Sequence, residues 1–185
     1  MTDTQWPRFI VFQQMKAGEA HQYAGSVHAS DAEMALMNAR DVFVRRPACV
    51  SLWVVPAKSV FARTAEELGQ ELAEQTEVDD ANQGDRSFSV FQKSTHKGTY
   101  IWVGEVNATT PESALKTALE TVANRDALVW WVFPAETVTQ TSPADIEALF
   151  QPAFSKTFRD QAFYHTVAAM QQIRIQSQDN NTDES

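Results

Sequence analysis

The chain contains one pattern twice. Phe9-Ile10-Val11-Phe12-Gln13 returns as Phe88-Ser89-Val90-Phe91-Gln92, and Gly25, Ala29, Ala35 and Ala39 return as Gly104, Ala108, Ala114 and Ala118, all about 79 positions later. Trp53-Val54-Val55-Pro56-Ala57 then returns as Trp131-Val132-Phe133-Pro134-Ala135 at about 78, so one residue is lost in the intervening loop. Whatever one copy forms, the other must form too. A unit of about 60 residues buries too little surface to be comfortably stable alone, so two of them are expected to share an interface. Five Trp and eleven Phe in 185 residues supply the bulk for it. The pair is predicted to behave as one cooperative unit, joined by edge-strand pairing or sheet packing.

Each copy reads strand, strand, helix, strand. In the first, Phe9 to Gln14 is a β-rich run, the stretch around Gly18 is a turn, and Ala20 to Ala29 continues as a second strand. Ser30-Asp31-Ala32-Glu33 has the spacing of a capping box, and Thr109-Thr110-Pro111-Glu112 repeats it with Pro111 in the first helical turn. Ala35, Leu36, Ala39, Val42 and Phe43 then recur at helical spacing, as do Ala114, Leu115, Ala118, Leu119 and Val122. A third strand, Val50 to Val55 or Leu128 to Phe133, stops at Pro56 or Pro134. The matched Trp53 and Trp131, with Phe9 and Phe88, are expected in the core, whereas Trp130 points to the opposite face and toward an interface.

The fold class predicted is α+β: two tandem ββαβ units packed as a pseudo-dimer, followed by a helical and extended tail. The first unit with a short helix after it occupies 1–75, an acidic linker 76–87 and the second unit 88–140. The tail runs over 141–175, and the polar residues 176–185 read as disordered.

Composition excludes several partners. The net charge of −9 argues against nucleic acid, whose affinity comes mainly from Lys and Arg, and most of the acid lies in the linker and the second copy. The longest apolar run, Leu128 to Phe133, is far too short to cross a bilayer. The opening Met-Thr-Asp-Thr-Gln-Trp-Pro has neither a basic start nor an apolar stretch, so a cytoplasmic location is expected. Cys49, the single cysteine, reads as a small buried hydrophobe.

A search for chemistry finds no Glu-x-x-His, Cys-x-x-Cys, Gly-x-Gly-x-x-Gly or phosphate-binding loop, so no catalytic residue, metal ligand or cofactor is assigned. His21 and His28 lie seven apart on one strand, facing opposite sides unless a bulge intervenes. His96 reads as an exposed turn residue. Arg45-Arg46 follows the first helix; two readings stay open, compensation of the helix C-terminus and a docking or anion-binding patch shared with Arg40. Positions with core periodicity match between the copies, but polar ones do not: His28, Asn38, Arg40, Asp41 and Arg45 stand where the second copy has Asn107, Thr117, Leu119, Glu120 and Asn124.

At these polar residues a resemblance becomes specific. Trp6-Pro7, Gly25-Ser26-Val27-His28-Ala29, Ala35-Leu36-Met37-Asn38-Ala39-Arg40-Asp41, Arg45-Arg46 and Ser51-Leu52-Trp53-Val54-Val55 together resemble the phenylacetic acid degradation B family, the B-type component of ring-1,2-phenylacetyl-CoA epoxidase. Pro152-Ala153-Phe154-Ser155-Lys156-Thr157-Phe158-Arg159 and Phe163-Tyr164 resemble that family's C-terminal segment. The resemblance implies a non-catalytic structural subunit without cofactor, which pairs with itself and bridges units of a di-iron A subunit and an inactive C relative, with a reductase supplying electrons. It implies docking roles for His28, Asn38, Arg40, Asp41, Arg45, Arg46, Phe163 and Tyr164. Usual members are single copies; the fused pair replaces a bimolecular dimer with an intramolecular one and frees one copy to lose a docking surface. Two rival readings are an enzyme with a cleft between the copies, using His21 or His28 as acid or base, and a ligand-sensing regulator.

Overall fold

Alternation decides the first strand. In β1 (Arg8–Gln14), Phe9 and Val11 point to one side, Ile10 and Phe12 to the other, and all four are buried. Such a strand has packed layers on both faces. In the computed structural model, which describes residues 6–44, 49–73, 85–142, 144, 146–151 and 170, β1 pairs antiparallel with β2 (Gln22–His28) and with β3 (Ser51–Pro56). Helix α1 (Ala32–Phe43) connects β2 to β3. The second half has the same pairing, β5 (Arg86–Lys93) between β6 (Ile101–Ala108) and β7 (Val129–Pro134), with α3 (Pro111–Thr121).

Two short strands lie where the sequence pattern gives no strand, and each crosses to the other half. After β3 a 3₁₀ turn at Ala57–Ser59 leads into β4 (Phe61–Thr64), which pairs with β7; after β7 the matching turn at Ala135–Thr137 leads into β8 (Thr139–Gln140), which pairs with β3. The result is a single antiparallel sheet of order β4-β7-β5-β6-β2-β1-β3-β8. Its central seam is slight. Gln22 and Ile101 are in register, Tyr23 N–H donates to Tyr100 O at 2.9 Å, and Trp102 N–H donates to His21 O at 2.9 Å.

Both helices begin one residue later than the expected capping spacing. The Asp31 carboxylate accepts from Met34 N–H at 2.8 Å, because a charged acceptor outcompetes the neighbouring Ser30 hydroxyl, which donates to Asp31 instead at 2.7 Å. In the second half Pro111 forces an extended residue before it, which makes Thr110 the cap; it exchanges hydrogen bonds with Ser113. Two further helices are short: α2 (Ala65–Ala73), and α4 (Ile146–Phe150), whose Phe150 is buried in the first core.

The α1 side of the sheet buries Phe9, Val11, Leu52 and Val54 against Ala35 and Ala39. The α3 side buries Phe88, Val90, Trp130 and Val132 against Ala114 and Ala118. Trp130 is therefore not at an interface: it occupies the place of Leu52, fully buried under α3, with Nε1 donating to Asn124 O at 3.2 Å. Trp53 and Trp131 lie on the opposite sheet face and are half-buried, because that face is shared between halves and open at its margins.

This third layer shows how the sheet is shaped. Phe12 on β1 stacks on Phe91 of β5 with centroids 4.0 Å apart, and on Phe133 of β7 at 5.7 Å. In a flat sheet β1 and β5 would be three strand spacings apart, roughly 14 Å. The helix-free face therefore curls on itself, with the two helices outside and aromatic rings between the halves. Curvature is helped by matching irregularities, where the register skips between Val11/Phe12 and between Val90/Phe91 opposite Gly25 and Gly104. Gly25 has φ +154°, and a Cβ there would lie 2.5 Å from Phe43 Cζ, so a ring packs where no side chain can fit.

A groove between the second strand and the first helix

The end of β2 and the outer side of α1 form an open groove of about 340 Å³, lined by Ser26, Val27, His28, Asn38, Asp41 and Val42. Three of the expected docking residues thus meet in one place. The local bonding explains why. Asn38 Nδ2 donates to His28 O at 3.1 Å, tying helix to strand, and His28 Nδ1 donates to Trp6 O at 2.7 Å, which holds the chain start beside the groove. A carbonyl only accepts, so Nδ1 carries the hydrogen in this bond. Asp41 and His28 are both exposed.

Arg40 stands apart from these three. Its Nε donates to Leu149 O at 2.9 Å and its guanidinium bonds Asp41 at 2.6 Å, so it braces α4 against α1 and fixes the Asp41 carboxylate from the side. Arg45, Arg46, Phe163 and Tyr164 lie outside the described residues. In the second half, Arg125 Nε donates to Leu119 O at 3.1 Å, a cation placed on a free carbonyl at the end of α3.

His21 sits just before β2, at the end remote from His28. Its ring stacks on Trp53 at 3.8 Å and Nε2 lies 3.0 Å from Ser51 Oγ; burial pushes its pKa down to about 4, so it is neutral at neutral pH. Tyr100, about 79 positions on, stacks on Trp131 at 3.6 Å in the same manner, and burial pushes its phenol up. An aromatic partner does the same job in the other half, which assigns His21 to the ring layer. The Cys49 thiol is buried and pushed up to about 11 by desolvation, so it stays protonated. Among the described residues no three His, Cys, Asp or Glu side chains are grouped to hold a metal ion, and no helix is long and apolar enough to cross a membrane. Val42, expected by its spacing on the apolar stripe of α1, is exposed at the groove instead, because Ala35, Ala39 and Phe43 occupy the side of the helix that packs on the sheet. Sequence reading passes over Met34 and Met37, which are exposed at polar-face positions of α1, and Trp6 is exposed as well.

The family model described as phenylacetic acid degradation B matches residues 5–79 and 86–171, which covers the groove and extends over both halves. The chain belongs to that family. A curated relative, the B component of 1,2-phenylacetyl-CoA epoxidase from Escherichia coli (strain K12), is 44% identical over 70 residues, which are 38% of this chain and 74% of the relative. No solved structure matches the chain. Membership links the chain to phenylacetate degradation and to a multicomponent epoxidase.

Proposed function

We propose that this chain is a structural, non-catalytic B-type subunit of a phenylacetyl-CoA epoxidase-like oxygenase, working in the cytoplasm as a pseudo-dimer of two ββαβ units. Its partners are the di-iron A subunit and the C subunit of the same assembly. The relative's name as a subunit of an epoxidase supports the class of complex. The observation that carries the docking role is the meeting of His28, Asn38 and Asp41 on one open surface of the first half, at positions where the second half has Asn107, Thr117 and Glu120. The pseudo-dimer is supported by the exchange of β4 and β8, in which neither half holds all the strands of its own side of the sheet. Arg45, Arg46, Phe163 and Tyr164 are carried as further docking residues by the resemblance alone.

The test is binding of purified chain to the A–C complex, with Arg45→Ala/Arg46→Ala as the diagnostic variant and Arg125→Ala as the control. Cations desolvated against carboxylates lose about 2–5 kcal/mol of binding on truncation, whereas a solvated pair at a helix end changes stability alone, by about 0.3–1 kcal/mol. Equal affinity of wild type and double variant for the A–C complex removes these arginines from the surface, and no binding by the wild type removes the proposed function.

A further inference from the structure

The two segments that cross between the halves are unlike, and each matches the core it lands on. The registers Phe61↔Val132 and Thr139↔Val54 set Thr139, Gln140 and Thr141 at the places of Phe61, Ala62 and Arg63. On the α3-side core, Phe61 of β4 and Leu68 of α2 pack together with Leu119, over a cluster in which Trp130 is fully buried. On the α1-side core, β8 leads into a hydroxyl instead. Thr141 is buried, its N–H donates to Leu52 O at 3.0 Å, and its Oγ1 accepts from Leu52 N–H at 3.2 Å. Leu52 stands in the place of Trp130, and a ring reaches this core from α4 as buried Phe150. Arg40, in the place of Leu119, donates to Leu149 O of α4 at 2.9 Å.

Trading the partners spoils both fits. Phe61 is the one aromatic residue in 61–73, and Phe150 is the one in 139–151. Set on the α3-side core, α4 would add Phe150 to a cluster that already holds Trp130, and a close-packed interior does not absorb a second ring. Leu149 O would then face Leu119, whose side chain donates nothing. Set on the α1-side core, β4 and α2 would bring Phe61 to the place of Thr139 but no ring to the place of Phe150, so Leu52 would border a void. Leu68 would meet the guanidinium of Arg40 where it now shares a core with Leu119.

We infer that the exchange surface of each half is keyed to the unlike segment: the α1 half takes β8 and α4, the α3 half takes β4 and α2, and neither takes its own. Pairing then has a direction that two identical units lack. Through this surface a second copy of the chain can be engaged only by reciprocal exchange, first half to second half. The inference rests on the pseudo-dimer proposed above and not on the oxygenase partners.

The experiment is thermal unfolding of the full chain, with native mass spectrometry of each species. One variant trades residues 61–73 with 139–151, segments of equal length. A second, Arg40→Leu/Leu52→Trp/Leu119→Arg/Trp130→Leu, trades the residues that receive them. Each alone should lower the melting temperature by about 10 °C or more, and the chain carrying both sets should recover to within about 5 °C of wild type. A traded chain that holds its stability by dimerising supports the inference, because each segment then reaches its keyed half in a second copy. A traded chain that stays monomeric and melts within about 5 °C of wild type overturns it, as does a combined variant no more stable than the traded chain. Two separate unfolding transitions in wild type would sink the pseudo-dimer, and this inference with it.

Discussion

Phe12 is the residue through which the two halves should feel each other. It is fully buried, its ring is 4.0 Å from Phe91 and 5.7 Å from Phe133 of the other half, and it meets Trp131 edge-on at 6.4 Å. Phe12→Ala should cost about 3–5 kcal/mol, and Phe91→Ala the same, as for any large buried aromatic. A stacked pair contributes about 0.5–1.5 kcal/mol beyond its buried area, and the two truncations open one shared void. The double variant should therefore lose about 1–3 kcal/mol less than the sum of the single losses. Urea unfolding followed by tryptophan fluorescence and far-ultraviolet circular dichroism measures all four species. Total stability of a domain is about 5–15 kcal/mol, so Phe12→Leu and Phe91→Leu serve if the alanine double variant unfolds. Val11 and Val90 lie in the separate α1-side and α3-side cores, and their alanine variants should add to within about 0.5 kcal/mol. If the phenylalanine pair is equally additive, or if wild type unfolds in two separate transitions, the curled sheet with a shared ring layer is wrong.

His21 makes stability depend on pH. Its folded pKa of about 4 lies below the ordinary 6.5, so between these values the unfolded chain binds a proton that the folded chain refuses. Stability should be full above about pH 6.5 and decline toward pH 4, by at most about 3 kcal/mol and by about 1–2 kcal/mol once solvent access at the sheet margin is allowed for. His21→Tyr, which copies Tyr100, should flatten that decline, and an unchanged slope in paired melts at pH 7 and pH 4.5 would assign it to other groups. Gly25→Ala should cost more than Gly104→Ala. Both add a Cβ at φ near +150°, for about 1–3 kcal/mol of backbone strain, but the Gly25 Cβ also meets Phe43 at 2.5 Å, against 3.4 Å to Val122 at Gly104. Equal losses in urea would mean that Phe43 swings aside freely.

Much of the fold is legible in the sequence because the repeat doubles each signal. Two copies of an alternating run, a cap and an alanine-rich helix face place β1, α1 and β3 to within a residue or two, and the same holds for β5, α3 and β7. The caps fall one residue away from the expected spacing because Ser30 and Asp31, like Thr109 and Thr110, are adjacent residues of equal capping ability, and only the charge on Asp31 and the constraint from Pro111 decide between them. The tryptophans differ from expectation because strand alternation says which residues share a face but not which face the helix covers. Trp130 goes under α3, and Trp53 and Trp131 to the ring layer.

The two strands that knit the halves together are invisible in the sequence for a physical reason. Four residues in β4 and two in β8 are too few to show a period of two, and their partners are distant in sequence. Yet they set the logic of the molecule. Each follows a Pro and a 3₁₀ turn that send the chain out of its own half, so the edge of β3 is covered by residues from after β7, and that of β7 by residues from after β3. Joining the halves in one chain makes this exchange intramolecular. The partner strand then arrives at an effective concentration of roughly millimolar whatever the cellular level of the protein. Pairing between two halves of one chain does not require identical sequences, so the outer surfaces need not match. Met34 and Ser113, or Met37 and Lys116, diverge on exposed helix positions while Ala35 and Ala114 beneath them do not.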